Sequence, residues 1–303
     1  MNNPNVINVF DRALLRLRRD RAAMHIGDYD FLLRDVAERL MERLELVLRP
    51  FPRVLDLGSH HGVLSEMLAA RAGTQDVFAA DMAPRFAAAA PVPSVAADED
   101  FLPFAPESFD AVVSNLSLQW VNDLPGALLQ VLRTLKPDGL FMAAVLGGES
   151  LRELRDSLMT AELSVTGGAS PRVSPFIDLR DMGALMQRAG FALPVVDSDI
   201  ITVDYSHPLK LMQDLRGMGA SNAVHGRLKL PTRKQVILEA ARVYQEKYGD
   251  NRGRVSATFQ VIYTIGWRPH ESQQKPLKPG VATVRLADIL KAEEIKTDDI
   301  AKP

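Results

Sequence analysis

The chain has 303 residues, 47% hydrophobic and 24% charged, with a formal net charge of −2. That supplies a sizeable apolar core and excludes the global basic field that drives nucleic-acid binding. Cysteine is absent, which removes disulfides, cysteine-ligated metals and thiol nucleophiles from consideration and suits a reducing compartment.

The first 24 residues lack the apolar run of a signal peptide. They carry Arg12, Arg16, Arg18, Arg19 and Arg21 with Phe10, Leu14, Leu15 and Leu17 on a predicted amphipathic helix. Charge runs usually face water, so the reading is a solvated helix docked on the core. A cationic lid over an anionic substrate is the sharper alternative. A second helix is predicted over residues 30–48 from Phe31, Leu32, Val36, Leu40, Leu44 and Val47, stopped by Pro50 and Pro52. No stretch is long and apolar enough to span a bilayer, which leaves peripheral contact as the membrane option.

The centre of the sequence is Arg53-Val54-Leu55-Asp56-Leu57-Gly58-Ser59-His60-His61-Gly62, a short buried strand running into a glycine turn, with a helical pattern from Val63. Strand, glycine turn and helix make the nucleotide-binding corner of a doubly wound α/β sheet. Asp56 directly before the turn suits a cationic ligand better than a pyrophosphate, so the corner reads as a seat for a nucleoside with a positive amino-acid tail. Asp81, 19 positions after Gly62, ends a second strand at the place of an acid that accepts ribose hydroxyls. A third strand runs towards Asp98 and Glu99, and Asp98 is a candidate acceptor for an exocyclic amine. A fourth strand, Ala111 to Ser114, carries Asn115 at its end. A helix follows around residues 124–135. Lys136-Pro137-Asp138-Gly139 reads as a turn before a fifth strand, Leu140 to Leu146.

The second half reads as a helix over residues 149–162 with Leu151, Leu154, Leu158 and Met159 on one face, a loop at Gly167-Gly168, and a helix over 181–189. A half-exposed strand over 194–203 has Asp197, Asp199 and Asp204 alternating with apolar residues; these acids are read as surface positions rather than a receptor for a cation. Helices are expected over 207–218 and 233–247, and a last strand over 259–267. The small-residue stretch Gly217 to Ala223 serves either close approach of a substrate backbone or plain turn chemistry. Residues after Pro276 lose apolar periodicity and read as a loosely held tail.

Asp56-x-Gly58-x-x-x-Gly62, Asp81, Asp98 before Leu102-Pro103-Phe104, Ser108-Phe109-Asp110 and Leu135-Lys136-Pro137-Asp138-Gly139 together resemble class I S-adenosylmethionine-dependent methyltransferases. The resemblance implies that Asp56, Gly58, Ser59, His60 and Gly62 lie at the methionine part of that cofactor. It implies that Asp81 and Met82 lie at the ribose, Asp98 and Glu99 at the adenine, and Asn115 on the same rim. His60 stands where the family has a glycine. Phe10-Asp11-Arg12, Leu116-Ser117-Leu118-Gln119-Trp120-Val121-Asn122-Asp123, Ser174-Pro175-Phe176, Gly217-Met218-Gly219-Ala220-Ser221-Asn222-Ala223 and Gly266-Trp267-Arg268-Pro269-His270-Glu271 resemble a narrower family. These are the methyltransferase-like assembly factors of respiratory complex I, associated with hydroxylation of an arginine in an iron–sulfur subunit.

The expected fold is therefore a doubly wound, Rossmann-like α/β sheet. Residues 1–49 cover the core, 50–146 bind S-adenosylmethionine, 147–275 complete the sheet and choose the substrate, and 276–303 form the tail. The resemblance, without a mitochondrial import leader, implies a bacterial, cytoplasmic relative acting on a protein substrate, an iron–sulfur subunit of complex I, by hydroxylation or methylation. The alternatives are a malonyl-carrier-protein carboxyl methyltransferase, whose core motifs are similar, and a non-catalytic assembly chaperone. No nucleic-acid partner and no metal are expected. His60 and His61 are adjacent and point different ways, and six histidines provide no recognisable two-His-one-carboxylate set. No catalytic residue is named; Asn115 and Gln119 either face a substrate or cap the next helix.

Overall fold

The computed structural model describes residues 8–274; the expectation for the tail at 276–303 lies outside them. Residues up to His270 form one compact unit. Its seven strands are β1 Arg53–Leu57, β2 Asp76–Asp81, β3 Ser94–Ala96, β4 Phe109–Asn115, β5 Leu135–Leu146, β6 Ala192–Tyr205 and β7 Val255–Trp267. They pair in the order β3-β2-β1-β4-β5-β7-β6. The pairs among β1 to β5 are parallel, and β7 runs antiparallel between β5 and β6. The strand order reverses between β1 and β4, and the crevice beyond their carboxyl ends is where such sheets take ligands.

The helices are α1 Arg12–Ala22, α2 Phe31–Glu45, α3 Val63–Ala70, α4 Pro84–Ala89, α5 Leu124–Thr134, α6 Arg152–Thr166, α7 Leu179–Arg188, α8 Pro208–Gly217 and α9 Lys234–Tyr248. One apolar cluster joins one face of the sheet to α2, α3, α6 and α9. A second joins the other face to α5 and α7. A third gathers Phe10, Leu15, Met82, Trp120, Ala223 and Val224 beside the strand tips.

Four expectations are corrected. Lys136 to Gly139 do not form a turn: they lie inside β5, as an irregularity between the pairs Phe109↔Leu135 and Ala111↔Leu140. Asp138 takes a positive φ of 62°, so the chain kinks and then resumes the same ladder. Of the helix face assigned to Leu151, Leu154, Leu158 and Met159, the three leucines are buried, but Met159 is 47% exposed, and Glu153, Ser157 and Ala161 complete the inward side. Asp197 and Asp199 are surface positions, but they are engaged by Arg43 and Arg39 of α2, which fasten that helix to β6.

The fourth correction concerns α1. Its arginines do not make one solvated face. The side facing the core reads Arg12, Leu15, Arg19, Ala22, at helical spacing, with Arg19 only 2% exposed, whereas Leu17 is 46% exposed. Asp11 caps the helix by accepting from Leu14 N at 3.0 Å. The segment before it is pinned to the second half of the chain, since Asp11 N donates to Ala223 O and His225 N donates to Val9 O.

The small-residue stretch after α8 explains how α1 comes so close. Ala220 N donates to Leu215 O and Gly219 N to Arg216 O, a Schellman ending with Gly219 at φ +74°. A Cβ on Gly219 would lie 3.2 Å from Ala22 Cβ and 3.2 Å from Arg19 Cα. The approach that glycine permits is thus that of α1. Gly219→Ala is expected to cost about 1–2 kcal/mol from the left-handed conformation alone. It should also perturb Trp120 fluorescence, because α1 carries Leu15 into the Trp120 cluster; denaturant unfolding followed by that fluorescence is the check.

Candidate functional site

The ends of β1, β2 and β4 and the segment after β3 converge on one crevice. β2 ends in Asp81, which is fully buried. One carboxylate oxygen accepts from Ala83 N at 2.8 Å; the other accepts from His60 N at 3.0 Å and from the Arg19 guanidinium at 2.7 Å. Burial pushes the Asp81 carboxyl up to about 6, even with Arg19 opposing it. Arg19 also reaches Ser117 Oγ at 3.0 Å, His60 Nδ1 at 3.1 Å and Glu99 at 3.5 Å.

Glu99, also fully buried, accepts from Ser117 Oγ and from Arg12. Burial works against its charge, and Arg12, Arg19 and Ser117 together overcome it, holding the carboxyl below its ordinary value. Arg12 binds Asp98 as well and lies 3.4 Å from Asp100. Burial alone would lower the Arg12 guanidinium, but Glu99 and Asp98 raise it. Four acids thus meet two arginines at the strand tips, and such a site leaves room for added positive charge.

The glycine turn is built tightly. Gly58 has φ +73°, its N–H donates to Ala80 O, and a Cβ there would fall 2.1 Å from Ser117 Cβ. Only a glycine lets the turn lie on Ser117. His60 carries the left-handed strain that a side chain resists, at φ 49°. Its ring spans the crevice from Arg19 to Asn115 O, 3.2 Å from Nε2. Burial and Arg19 drive its pKa well below the ordinary value, so the ring is neutral. His61 diverges towards Asp30, 2.9 Å from Nε2.

The remaining sequence-predicted residues divide. Asp56 is fully buried, accepts from Ser65 Oγ at 2.6 Å, and keeps its other oxygen without a partner. Ser59 Oγ, Asn115 Oδ1 and Gln119 Oε1 are also buried without a hydrogen-bond partner. Asn115 Nδ2 donates to Leu33 O, and Gln119 Nε2 to Leu116 O. Both amides are therefore anchored by nitrogen and present an oxygen, which goes beyond capping a helix. Met82 packs beside Leu15 and Trp120. Gly62 opens α3, and its Cα faces Pro91 rather than the crevice.

Sequence reasoning missed Arg12, Arg19 and Ser117. The signal for the arginines was their seven-residue spacing, which places both beside Leu15 on one face of α1. For Ser117 no local signal exists, because the closeness of Gly58 is a tertiary fact.

The mixed sheet with its parallel half β1 to β5, its switch point and the acids around it define a methyltransferase-type α/β domain. A family model described as a methyltransferase domain matches residues 29–194. The mitochondrial arginine-hydroxylase NDUFAF5 of Danio rerio is 43% identical over 298 residues, covering 96% of this chain and 92% of that protein. The malonyl-[acyl-carrier protein] O-methyltransferase of Halorhodospira halophila is 39% identical over 275 residues, covering 88% and 90%. Among solved structures, phosphoethanolamine N-methyltransferase 2 of Haemonchus contortus, bound to S-adenosylhomocysteine, superposes with a TM-score of 0.53 at 16% identity. That match covers 84% of this chain and 60% of the other, and it speaks to the fold. The chain belongs to the methyltransferase-domain family, in the branch of its arginine-hydroxylase relatives.

Proposed function

We propose that the crevice binds S-adenosylmethionine and that the chain modifies an arginine on a protein substrate, an iron–sulfur subunit of respiratory complex I undergoing assembly. The observation that carries the cofactor assignment is the set of buried oxygens without partners on Asp56, Ser59, Asn115 and Gln119, beside an acid-rich rim. Such acceptors suit a ligand that brings an ammonium, a sulfonium and hydroxyl donors. Asp56, Gly58, Ser59 and His60 form the methionine end, with Gly62 turning the chain into α3 behind them; Asp81 and Met82 form the ribose end, Asp98 and Glu99 the adenine end, and Asn115 the rim towards the substrate. Asp81 Oδ1 accepts from Ala83 N alone, whereas Oδ2 already accepts from His60 N and Arg19, so a ribose edge that uses both oxygens displaces Arg19 from Oδ2.

S-adenosylmethionine supplies a transferable methyl group. The protein's part is to hold the acceptor in line and to exclude water. His60, neutral and anchored at both ring nitrogens, fills the gap between α1 and the turn. The likeness to the arginine hydroxylase, higher in identity and longer in coverage, favours arginine as the target. The carrier-protein methyltransferase keeps carboxyl methyl transfer as the second reading.

Calorimetric titration with S-adenosylmethionine tests the cofactor. Binding by the wild type and a loss of at least tenfold in Asp81→Ala are expected; equal affinities would remove the ribose assignment. Mass spectrometry of the iron–sulfur subunit from a deletion strain tests the reaction. Loss of one oxygen marks hydroxylation and loss of one methyl marks transfer. An unchanged mass leaves a chaperone, and rescue of the strain by biotin selects the second reading.

A further inference from the structure

A cleft of about 1470 Å³ opens between α1, α6, α8 and the segment 227–232. It shares Trp120, Leu146, Leu215 and Ala220 with the small cavity over His60, Arg19 and Gln119, so it leads to the strand tips. Its floor is apolar, with Leu151, Leu154, Leu158, Val173, Phe176 and Ile237. Its wall is cationic: Arg18, Arg21, Arg172, Arg216, Arg227 and Lys229 line it, against Asp28 as the one acid among the lining residues.

Two of these cations are spent on the fold, Arg172 on Glu162 and Arg227 on Asp11. Arg18 donates to the carbonyls of Ser221 and Asn222, which do not cancel its charge. Burial, and after it the neighbouring Arg227, draw the Arg18 guanidinium below its ordinary value, with Asp11 opposing them. Arg21, Arg216 and Lys229 are exposed and form no ion pair among the described residues. Leu228 and Leu230, 42% and 72% exposed, put apolar surface on the same rim.

This wall would repel a bare arginine. A target arginine can enter such a cleft only if its neighbours bring enough negative charge to offset the wall. We propose that the cleft is the docking site for an acidic protein segment, whose carboxylates meet Arg18, Arg21, Arg216 and Lys229 and whose apolar residues lie on the leucine floor. Resting on the reading of a protein substrate above, this assigns substrate choice to acids flanking the modified residue.

The probe is a fluorescent 15-residue peptide with one central arginine flanked by glutamate and leucine, compared with the same peptide carrying glutamine for glutamate. Fluorescence anisotropy should show the acidic peptide binding at least tenfold more tightly, with affinity falling as salt rises. The triple variant Arg21→Glu, Arg216→Glu, Lys229→Glu should lose at least tenfold for that peptide and gain affinity for a version with lysine flanks. Such a gain requires a folded protein, so misfolding cannot imitate it. Equal binding of the acidic and glutamine peptides, or an unaffected triple variant, overturns the proposal. So does binding of vesicles of anionic phospholipid with no binding of the peptide. Titration of the wild type with S-adenosylmethionine keeps the two readings apart: cofactor binding by a wild type that does not distinguish the acidic from the glutamine peptide sinks the cleft alone. Selective peptide binding by a wild type that ignores S-adenosylmethionine sinks the cofactor reading alone.

Discussion

Arg19→Ala should lower stability by about 3–5 kcal/mol at pH 8, the cost of removing one partner from a buried ion pair. Arg19 is the cation closest to Asp81, and both side chains are buried. Without it, Asp81 keeps only the N–H groups of His60 and Ala83. Glu99 keeps Arg12 and Ser117, so the loss falls mainly on Asp81.

The sign follows from the pKa. Asp81 in the folded protein already sits at about 6, above its ordinary value of 3.8. A carboxyl raised on folding contributes stability in its protonated form, and that contribution is lost as pH rises through the folded pKa. Removing Arg19 raises the folded pKa further, so the variant's deficit should be large at pH 8 and small at pH 5.5. Scanning calorimetry at the two pH values reads this directly. S-adenosylmethionine should raise Tm more in Arg19→Ala than in the wild type, because the ribose hydroxyls no longer have to displace a guanidinium from Asp81. An equal rise in both would show that the ligand does not use that carboxylate.

The strand tips were legible because each is local: a run of apolar residues ending in Asp81 or Asn115 writes its own boundary. What closes the site is non-local. Arg19 reaches residues 62 and 80 positions away, and no local pattern says which acids a helix arginine will find. The spacing of Arg12, Leu15, Arg19 and Ala22 held the clue, since an arginine among core-facing positions needs a buried partner. The habit of sending charge to solvent hid it. Pro137-Asp138-Gly139 misled for another reason. The residues that favour a turn also favour a kinked strand, and the ladder to β4 decides between them. Gly217 and Gly219 announced a close approach without naming who approaches. Gly217 faces the Tyr29 ring and Gly219 faces α1, so the freedom is used inside the fold.

Asp56→Asn should make the ligand-free protein more stable at pH 8 and remove a pH dependence from cofactor binding. Burial pushes the Asp56 carboxyl up to about 7; Ser65 opposes the rise and Asp81 adds to it. One oxygen has no partner, and no ion pair among the described residues neutralises the side chain. Between its ordinary value of 3.8 and about 7, the folded state holds a proton that the unfolded state releases. The stability that Asp56 contributes is therefore present at low pH and lost as pH rises through 7. Each pKa unit is worth about 1.4 kcal/mol, so ionising this group in the folded protein at pH 8 costs a few kcal/mol. Asparagine escapes that cost while still accepting from Ser65, and Tm at pH 8 should rise by several degrees, with little change at pH 5. A bound ammonium reverses the balance, because it favours the ionised carboxylate and draws a proton off. Wild-type affinity for S-adenosylmethionine should then increase roughly tenfold from pH 6 to pH 8 as that proton no longer has to be released. In Asp56→Asn the same titration should be flat and weaker at pH 8. Parallel slopes in the two proteins would mean that Asp56 holds the turn to α3 through Ser65 and meets no cation.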